Sequence, residues 1–342
     1  MNFASDNAYG AAPEILAALG AAAAGAVPSY GDDEITARVN RRLADIFDHE
    51  VAVYPVVTGT AANSLALATL CPPHGAVFCH AESHIATDEC AAPEFFSHGA
   101  KLVGLEGEHG KLGPALIQAA LPGFWRGVHS PKPSVVSITQ LSELGTAYTP
   151  DEVKALADFA HGWNMTLHMD GARFANALAH LGCKAADITW RAGVDALSFG
   201  ATKNGALCAE AVIFFDREVA KDFEYRRKKS GHLLSKMRFI SAQLDAYLEG
   251  GLWLKNAARA NALAKNLADA LAAVKGVILA HLVEGNQVFA ELPVALSDRL
   301  RAAGAHYYDW SPAKDGRVLV RLVTSFTTPE EDVEKFAAAA RS

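Results

Sequence analysis

Apolar residues along this chain fall in short, nearly continuous runs separated by amphipathic stretches. Runs at 51–57, 76–79, 101–105, 134–139, 165–169, 195–199 and 211–215 have the length and content of strands buried on both faces. Between several of them, 61–68, 86–96, 114–120, 150–161 and 174–181 read as helices. Helices alternating with buried strands predict an α/β fold around a mostly parallel sheet. Pro55, inside the first run, argues against a central, regular strand there. Beyond residue 216 the pattern changes. A basic helix is expected at 219–231 and a long alanine-rich helix at 252–274. Strands at 277–280, 288–292 and 317–323 then mix with helices at 293–303 and 329–340. The expected division is a large domain over 1–250, N-terminal segment included, and a small C-terminal α+β domain over 251–342.

Composition narrows the functional classes. The 342 residues are 51% hydrophobic and 20% charged, an ordinary globular balance. A net charge of −7 leaves no basic footprint for nucleic acid. No apolar run approaches the roughly 20 residues of a membrane helix, and the first residues do not read as a secretory signal. Five cysteines without C-x-x-C spacing favour reduced thiols and a cytoplasmic setting. His74, His80 and His84 lie near Cys71, Cys79 and Cys90, but their spacing fits no zinc pattern, so no metal is expected.

Two segments carry the strongest chemistry. Leu167-His168-Met169-Asp170-Gly171-Ala172-Arg173 and Ser198-Phe199-Gly200-Ala201-Thr202-Lys203-Asn204 each end a buried run, one in a carboxylate and one in a lysine. Ligands of open α/β sheets gather at the carboxyl ends of strands. A lysine there can form a Schiff base with pyridoxal 5'-phosphate (PLP), and an aspartate can hold the pyridine nitrogen protonated. Thr58-Gly59-Thr60 marks a strand-to-helix turn whose free N–H groups suit a phosphate. Arg173 could bind a carboxylate or a phenolic oxygen, and His84 could stack on a ring or act as a base. Glu89 either orients its neighbours or is solvated. Each motif alone also fits a plainer role: a Thr cap, an Asp-Gly turn, an Asn204-Gly205 hairpin, a surface ion pair.

Their order and spacing together resemble the threonine aldolases, PLP enzymes of the aspartate-aminotransferase-like fold (fold type I). The likeness runs through Phe3-Ala4-Ser5-Asp6-Asn7, Tyr30-Gly31-Asp32-Asp33, Thr58-Gly59-Thr60-Ala61-Ala62-Asn63, His84-Ile85, His129-Ser130-Pro131-Lys132-Pro133, the Asp170 and Lys203 segments, and Arg321. The resemblance implies that Lys203 carries PLP, Asp170 holds the ring nitrogen, His84 stacks on the ring, and Gly59 and Thr60 bind the phosphate. It implies that Ser5, Arg173 and Arg321 grip the substrate carboxylate, with Arg173 also near the phenolic oxygen. His84 and His129 become candidates for drawing the β-hydroxyl proton. Tyr30 and the basic stretch 226–238 would lie near a neighbouring subunit's site, in a dimer at minimum and a tetramer by family habit.

The implied reaction is retro-aldol cleavage of L-threonine and related β-hydroxy-α-amino acids to glycine and an aldehyde. The alternatives are a phenylserine-specific aldolase, a β-eliminating lyase, a transaminase, or a non-catalytic PLP- or amino-acid-binding protein. The chain departs from the commoner pattern at Asp88, where a tyrosine is usual, and at Gln140-Leu141-Ser142-Glu143, where Glu-Asn-Thr is usual. Both departures bear on substrate preference more than on reaction type.

Overall fold

A computed structural model describes residues 1–342. Seven strands build the main sheet: β1 (Ala52–Val56), β2 (Gly75–His80), β3 (Lys101–Leu105), β4 (Lys132–Thr139), β5 (Thr166–Gly171), β6 (Ala196–Gly200) and β7 (Glu210–Phe214). Their spatial order is β1-β7-β6-β5-β4-β2-β3. Neighbours from β6 through β5, β4 and β2 to β3 run parallel, whereas β7 is antiparallel to both β6 and β1. Pro55 is accommodated because β1 is the edge strand and bonds on one side alone. The carboxyl ends of β1, β5 and β6 and the start of β7 meet at one margin: Val56 aligns with Glu210, Glu210 with Gly200, and Gly171 with Phe199.

β5 runs two residues past the apolar run that announced it. A Cβ on Gly171 would stand 2.8 Å from the Ser198 carbonyl oxygen, and one on Gly200 would stand 2.7 Å from Ala172 Cα. The two strand ends therefore crowd together only because both positions are glycine. The expected helix at 86–96 is instead two short helices, His84–Thr87 and Ala92–Phe96. Cys90 and Ala91 between them adopt positive φ (50° and 59°), and the break turns Glu89 inward. The expected basic helix at 219–231 is shorter, Phe223–Lys229. Helices Pro13–Ala22, Glu34–Phe47 and Arg238–Leu248 were not anticipated. The last packs against both of the others, and Asp245 pairs with Arg38 and Arg42.

The long helix Leu252–Ala272 leads into a four-stranded antiparallel sheet of β8 (Ile278–Leu279), β9 (Gln287–Pro293), β10 (Tyr308–Asp309) and β11 (Arg317–Val323), ordered β10-β11-β9-β8. Forty-four buried residues form the core under the main sheet, and a separate cluster of 19 lies under the small one. Phe3 belongs to the smaller cluster. Its N–H donates to His306 O (2.7 Å), its carbonyl accepts from Val323 N (2.8 Å), and its ring meets Phe336 edge-on at 5.3 Å. That anchorage carries the next residues, Ser5 and Asp6, across to the margin of the large sheet. No helix is long and apolar enough to cross a membrane.

Candidate active site

A cavity of about 280 Å³ opens at the carboxyl margin of the main sheet. Val57, Thr58, Gly59, Thr60 and Asn63 line one side, Thr202, Lys203 and Glu210 another, and Asp170 and His84 a third. A larger cavity of about 700 Å³ between Ile46, Leu178, Trp253 and Leu254 is mostly apolar and lies away from all of these groups. The smaller one therefore holds the chemistry.

Three local structures set the cavity's polarity. The helix Gly59–Leu70 begins at its wall, with the Thr58 hydroxyl accepting from Ala61 N–H at 3.1 Å. Its free N–H groups and dipole make that wall favourable to an anion. A Cβ on Gly59 would meet nothing within 4 Å, so the space before it is open. Lys203 sits in the tight turn Thr202–Asn204 directly after β6. That turn is fixed from behind by Asn204, whose Nδ2 donates to Tyr247 Oη and to Trp253 O, both at 2.8 Å. Asp170 occupies the end of β5. One carboxylate oxygen accepts Ala172 N–H at 3.0 Å, the other Asn63 Nδ2 at 2.8 Å.

Asn63 Nδ2 also donates to Glu89 Oε1 at 2.8 Å, and that same oxygen accepts from His84 Nδ1 at 2.8 Å. The Glu89 side chain is wholly buried. Burial raises its pKa, against the pull of His84. The hydrogen bond from Glu89 raises that of His84, opposed by the histidine's own burial. Asn63 and Glu89 thus tie His84 to the carboxylate of β5. Behind Asp170, His168 is sealed between Ser137 Oγ (2.9 Å) and Ser198 Oγ (3.0 Å), and burial pushes it down to about 4, so it stays neutral.

Arg173 follows the cavity margin. Its Nε and Nη2 donate to the two oxygens of Asp6, at 2.8 and 3.0 Å, in a buried bidentate pair. Asn286 Nδ2 donates to Asp6 as well, at 3.1 Å. Burial would raise the Asp6 pKa, but the charges of Arg173 and then Lys203, with the hydrogen bonds, bring it below the usual carboxylate range. Arg321, on β11, lies over the rings of Trp310 (4.9 Å) and Tyr308 (5.7 Å). Its buried Nε has no partner within the protein, and burial, then the charge of Arg173, lowers its pKa.

Lys203, Asp170, His84, Gly59 and Thr60 therefore converge on one cavity. Others expected from the sequence stand differently. Arg173 is braced by Asp6 through Nε and Nη2, and its Nη1 makes no hydrogen bond within the protein. Ser5 Oγ accepts Asn7 N–H at 3.1 Å and caps the short turn that carries Asp6. Tyr30 is exposed beneath Lys228 Nζ (4.7 Å to the ring), outside the cavity. His129 is exposed on the turn Gly127–His129 before β4. The parallel register puts Thr139, at the other end of β4, beside Asp170. At ~3.3 Å per residue His129 stands more than about 20 Å from the site of its own chain. The sequence shows it five residues before the apolar run at 134–139, and in a parallel sheet that is the end of the strand opposite Asp170. Asp6, Asn63 and Glu210 escaped notice. Asp6 and Asn63 lie inside quoted motifs, and Glu210 opens an apolar run seven residues after Lys203, so spacing alone held a signal.

The cavity fits PLP. An anion-binding helix start, an amine and a hydrogen-bonded carboxylate stand on separate walls, matching the cofactor's phosphate, aldehyde and ring nitrogen. The unpartnered Arg321 Nε is a donor awaiting an acceptor.

A family model for beta-eliminating lyases matches residues 2–294. The chain is 45% identical to a low specificity L-threonine aldolase of Pseudomonas sp. (strain NCIMB 10558), over 99% of this chain and 97% of that one. It is 46% identical to the Pseudomonas aeruginosa protein of the same name, over 98% of this chain and 95% of that one. A solved structure described as Leishmania major threonine aldolase superposes with a TM-score of 0.94 at 29% identity, covering 99% of this chain and 98% of the other. The expected fold type I architecture is borne out.

Proposed function

This chain belongs to the beta-eliminating lyase family and, within it, to the low-specificity L-threonine aldolases, and from that premise we infer how its cavity works. It is a PLP-dependent lyase that cleaves L-threonine, L-allo-threonine and related β-hydroxy-α-amino acids to glycine and an aldehyde. The carrying observation is that Lys203, Asp170 and the helix start at Gly59 line a single cavity.

Bound PLP supplies an electron sink for the pair released when the Cα–Cβ bond breaks. We assign its attachment to Lys203, its ring nitrogen to Asp170 and its phosphate to Gly59 and Thr60. Asn63 and Ala172 both donate to the Asp170 carboxylate and fix its direction, so it would accept from the ring nitrogen without rearranging. Arg321 offers its free Nε to the substrate carboxylate. Arg173, immobilised by Asp6, supplies positive charge beside it without moving. Holding the carboxylate fixes which Cα bond lies across the ring face, and such positioning is worth several powers of ten in rate. His84 lines the cavity, and Glu89 holds its Nδ1 and raises its basicity, which suits Nε2 to take the β-hydroxyl proton. We give the base role to His84 over His129 because His129 of the same chain lies at the far end of β4.

We further propose a dimer at minimum, assembled into a tetramer, in the cytoplasm. Exposed Tyr30, Phe95, Trp125, Val128 and Tyr225 support the first, and five unpaired cysteines the second. Light scattering on the purified protein gives the assembly size, and a monomer would refute it. For the reaction, incubation with L-threonine should yield equal amounts of glycine and acetaldehyde, and Lys203→Ala should abolish both along with the visible cofactor band. Pyruvate and ammonia from L-serine, with no glycine from threonine, would instead mark a β-eliminating lyase.

A further inference from the structure

The cavity holds a second buried carboxyl that the reaction above leaves without a task. Glu210 opens β7, opposite Gly200 of β6 and Val56 of β1. The first of those leads into the lysine turn, the second into the phosphate cradle. Glu210 is 7% exposed and lines the cavity together with Lys203. Its Oε2 accepts Ala201 N–H at 3.2 Å, Thr202 adds a hydrogen bond, and the cation acting on it is Lys203. A carboxylate offers about four acceptor sites, so this is thin compensation for removing one from water. Burial pushes Glu210 up to about 7, against the pull of Thr202 and Lys203, so it gains its charge close to neutrality.

We propose that Glu210 is a positioning residue for Lys203, setting how tightly the nitrogen at position 203 holds its proton. The inference rests on Lys203 being the cofactor's attachment point. An anionic carboxyl beside that nitrogen favours its protonated form. Opposite charges within about 4–6 Å move a pKa by about 1–3 units. Glu210 and Lys203 make no direct ion pair, so the charge acts through space. Other charged groups reach the same space: Asp170 from β5, Asp6 from the N-terminal segment, the His84–Glu89 pair from the loop after β2, and the positive start of the helix at Gly59. His232 stands behind, accepting Val57 N–H through Nδ1, and burial keeps its pKa low. All of these are unchanged when Glu210 alone is replaced, so the difference between variants isolates Glu210.

The test is the visible absorbance of the PLP-loaded protein, titrated from the acid side of neutrality into the alkaline range. Glu210→Gln should lower the spectral midpoint by about one pH unit. Glu210→Asp, which keeps the charge one methylene further away, should lower it by less. The pH profile of kcat should move the same way. A Gln midpoint coincident with the unsubstituted protein overturns the inference, and so does equal displacement by Gln and Asp, which would mark a packing effect. If the Gln variant does not fold, Glu210→Ala takes its place beside Asp: a larger fall in Ala than in Asp supports the role, and an equal fall or none refutes it. Absence of any cofactor band in the unsubstituted protein would sink the Lys203 assignment itself. A band that titrates identically in the variants removes only the role of Glu210.

Discussion

Replacing Asp6 with Asn tests whether the N-terminal segment braces the active site. Asp6 and Arg173 form a buried pair, with side chains 1% and 6% exposed, and Asn286 also donates to the carboxylate. The amide keeps the shape but presents only one acceptor, so one Arg173 nitrogen loses its partner. Breaking a buried ion pair from one side costs about 3–5 kcal/mol, because the surviving charge is stranded. For a chain of this length that corresponds to a fall of about 4–7 °C in the unfolding midpoint. The sign with pH follows from the lowered pKa of Asp6. A carboxyl depressed by folding contributes stability that is present above its unfolded pKa, 3.8, and disappears as pH falls through the folded value. Calorimetry should therefore show the full difference between the two proteins at neutral pH and a shrinking one below pH 3.8. Kinetics should show KM for L-threonine rising while the cofactor band persists, since Arg173 loses its orientation and Lys203 does not. A midpoint shift under about 1 °C, or one equally large in strong acid, would refute the brace.

Two further outcomes follow. Glu89→Gln removes the acceptor charge that raises the His84 pKa, so the acid limb of kcat/KM should move down by about one pH unit; an unmoved limb would separate His84 from the proton transfer. Asp170→Asn should leave the cofactor bound but slow cleavage by at least about 10²-fold, and an unchanged single-turnover rate would remove Asp170 from the electron sink.

Much of this was legible in the sequence because the chemistry sits where local patterns end. Asp170 and Lys203 each close a buried run, and the sheet brings those ends together. The parallel order likewise follows from helices placed between strands. What the sequence concealed depends on long-range approach. The bracing of Arg173 was hidden because its partner, Asp6, lies 167 positions away. That His129 stands at the opposite end of β4 from Asp170 was not readable either, because a motif carries no strand direction. The helix at 86–96 was expected whole because nothing in Cys90-Ala91 announces positive φ. The helix Glu34–Phe47 was missed even though Asp33, which accepts Thr36 N–H, is a regular cap signal.

The way Phe3 is held has a consequence for biosynthesis. Residues 2–3 find their partners at His306 and Val323, so they stay unpaired until the long stretch of chain between has been made. The sheet bearing the lysine can assemble earlier, as domains do during translation. With Phe3 fixed on the small sheet, the Asp6–Arg173 pair links completion of that sheet to completion of the active site.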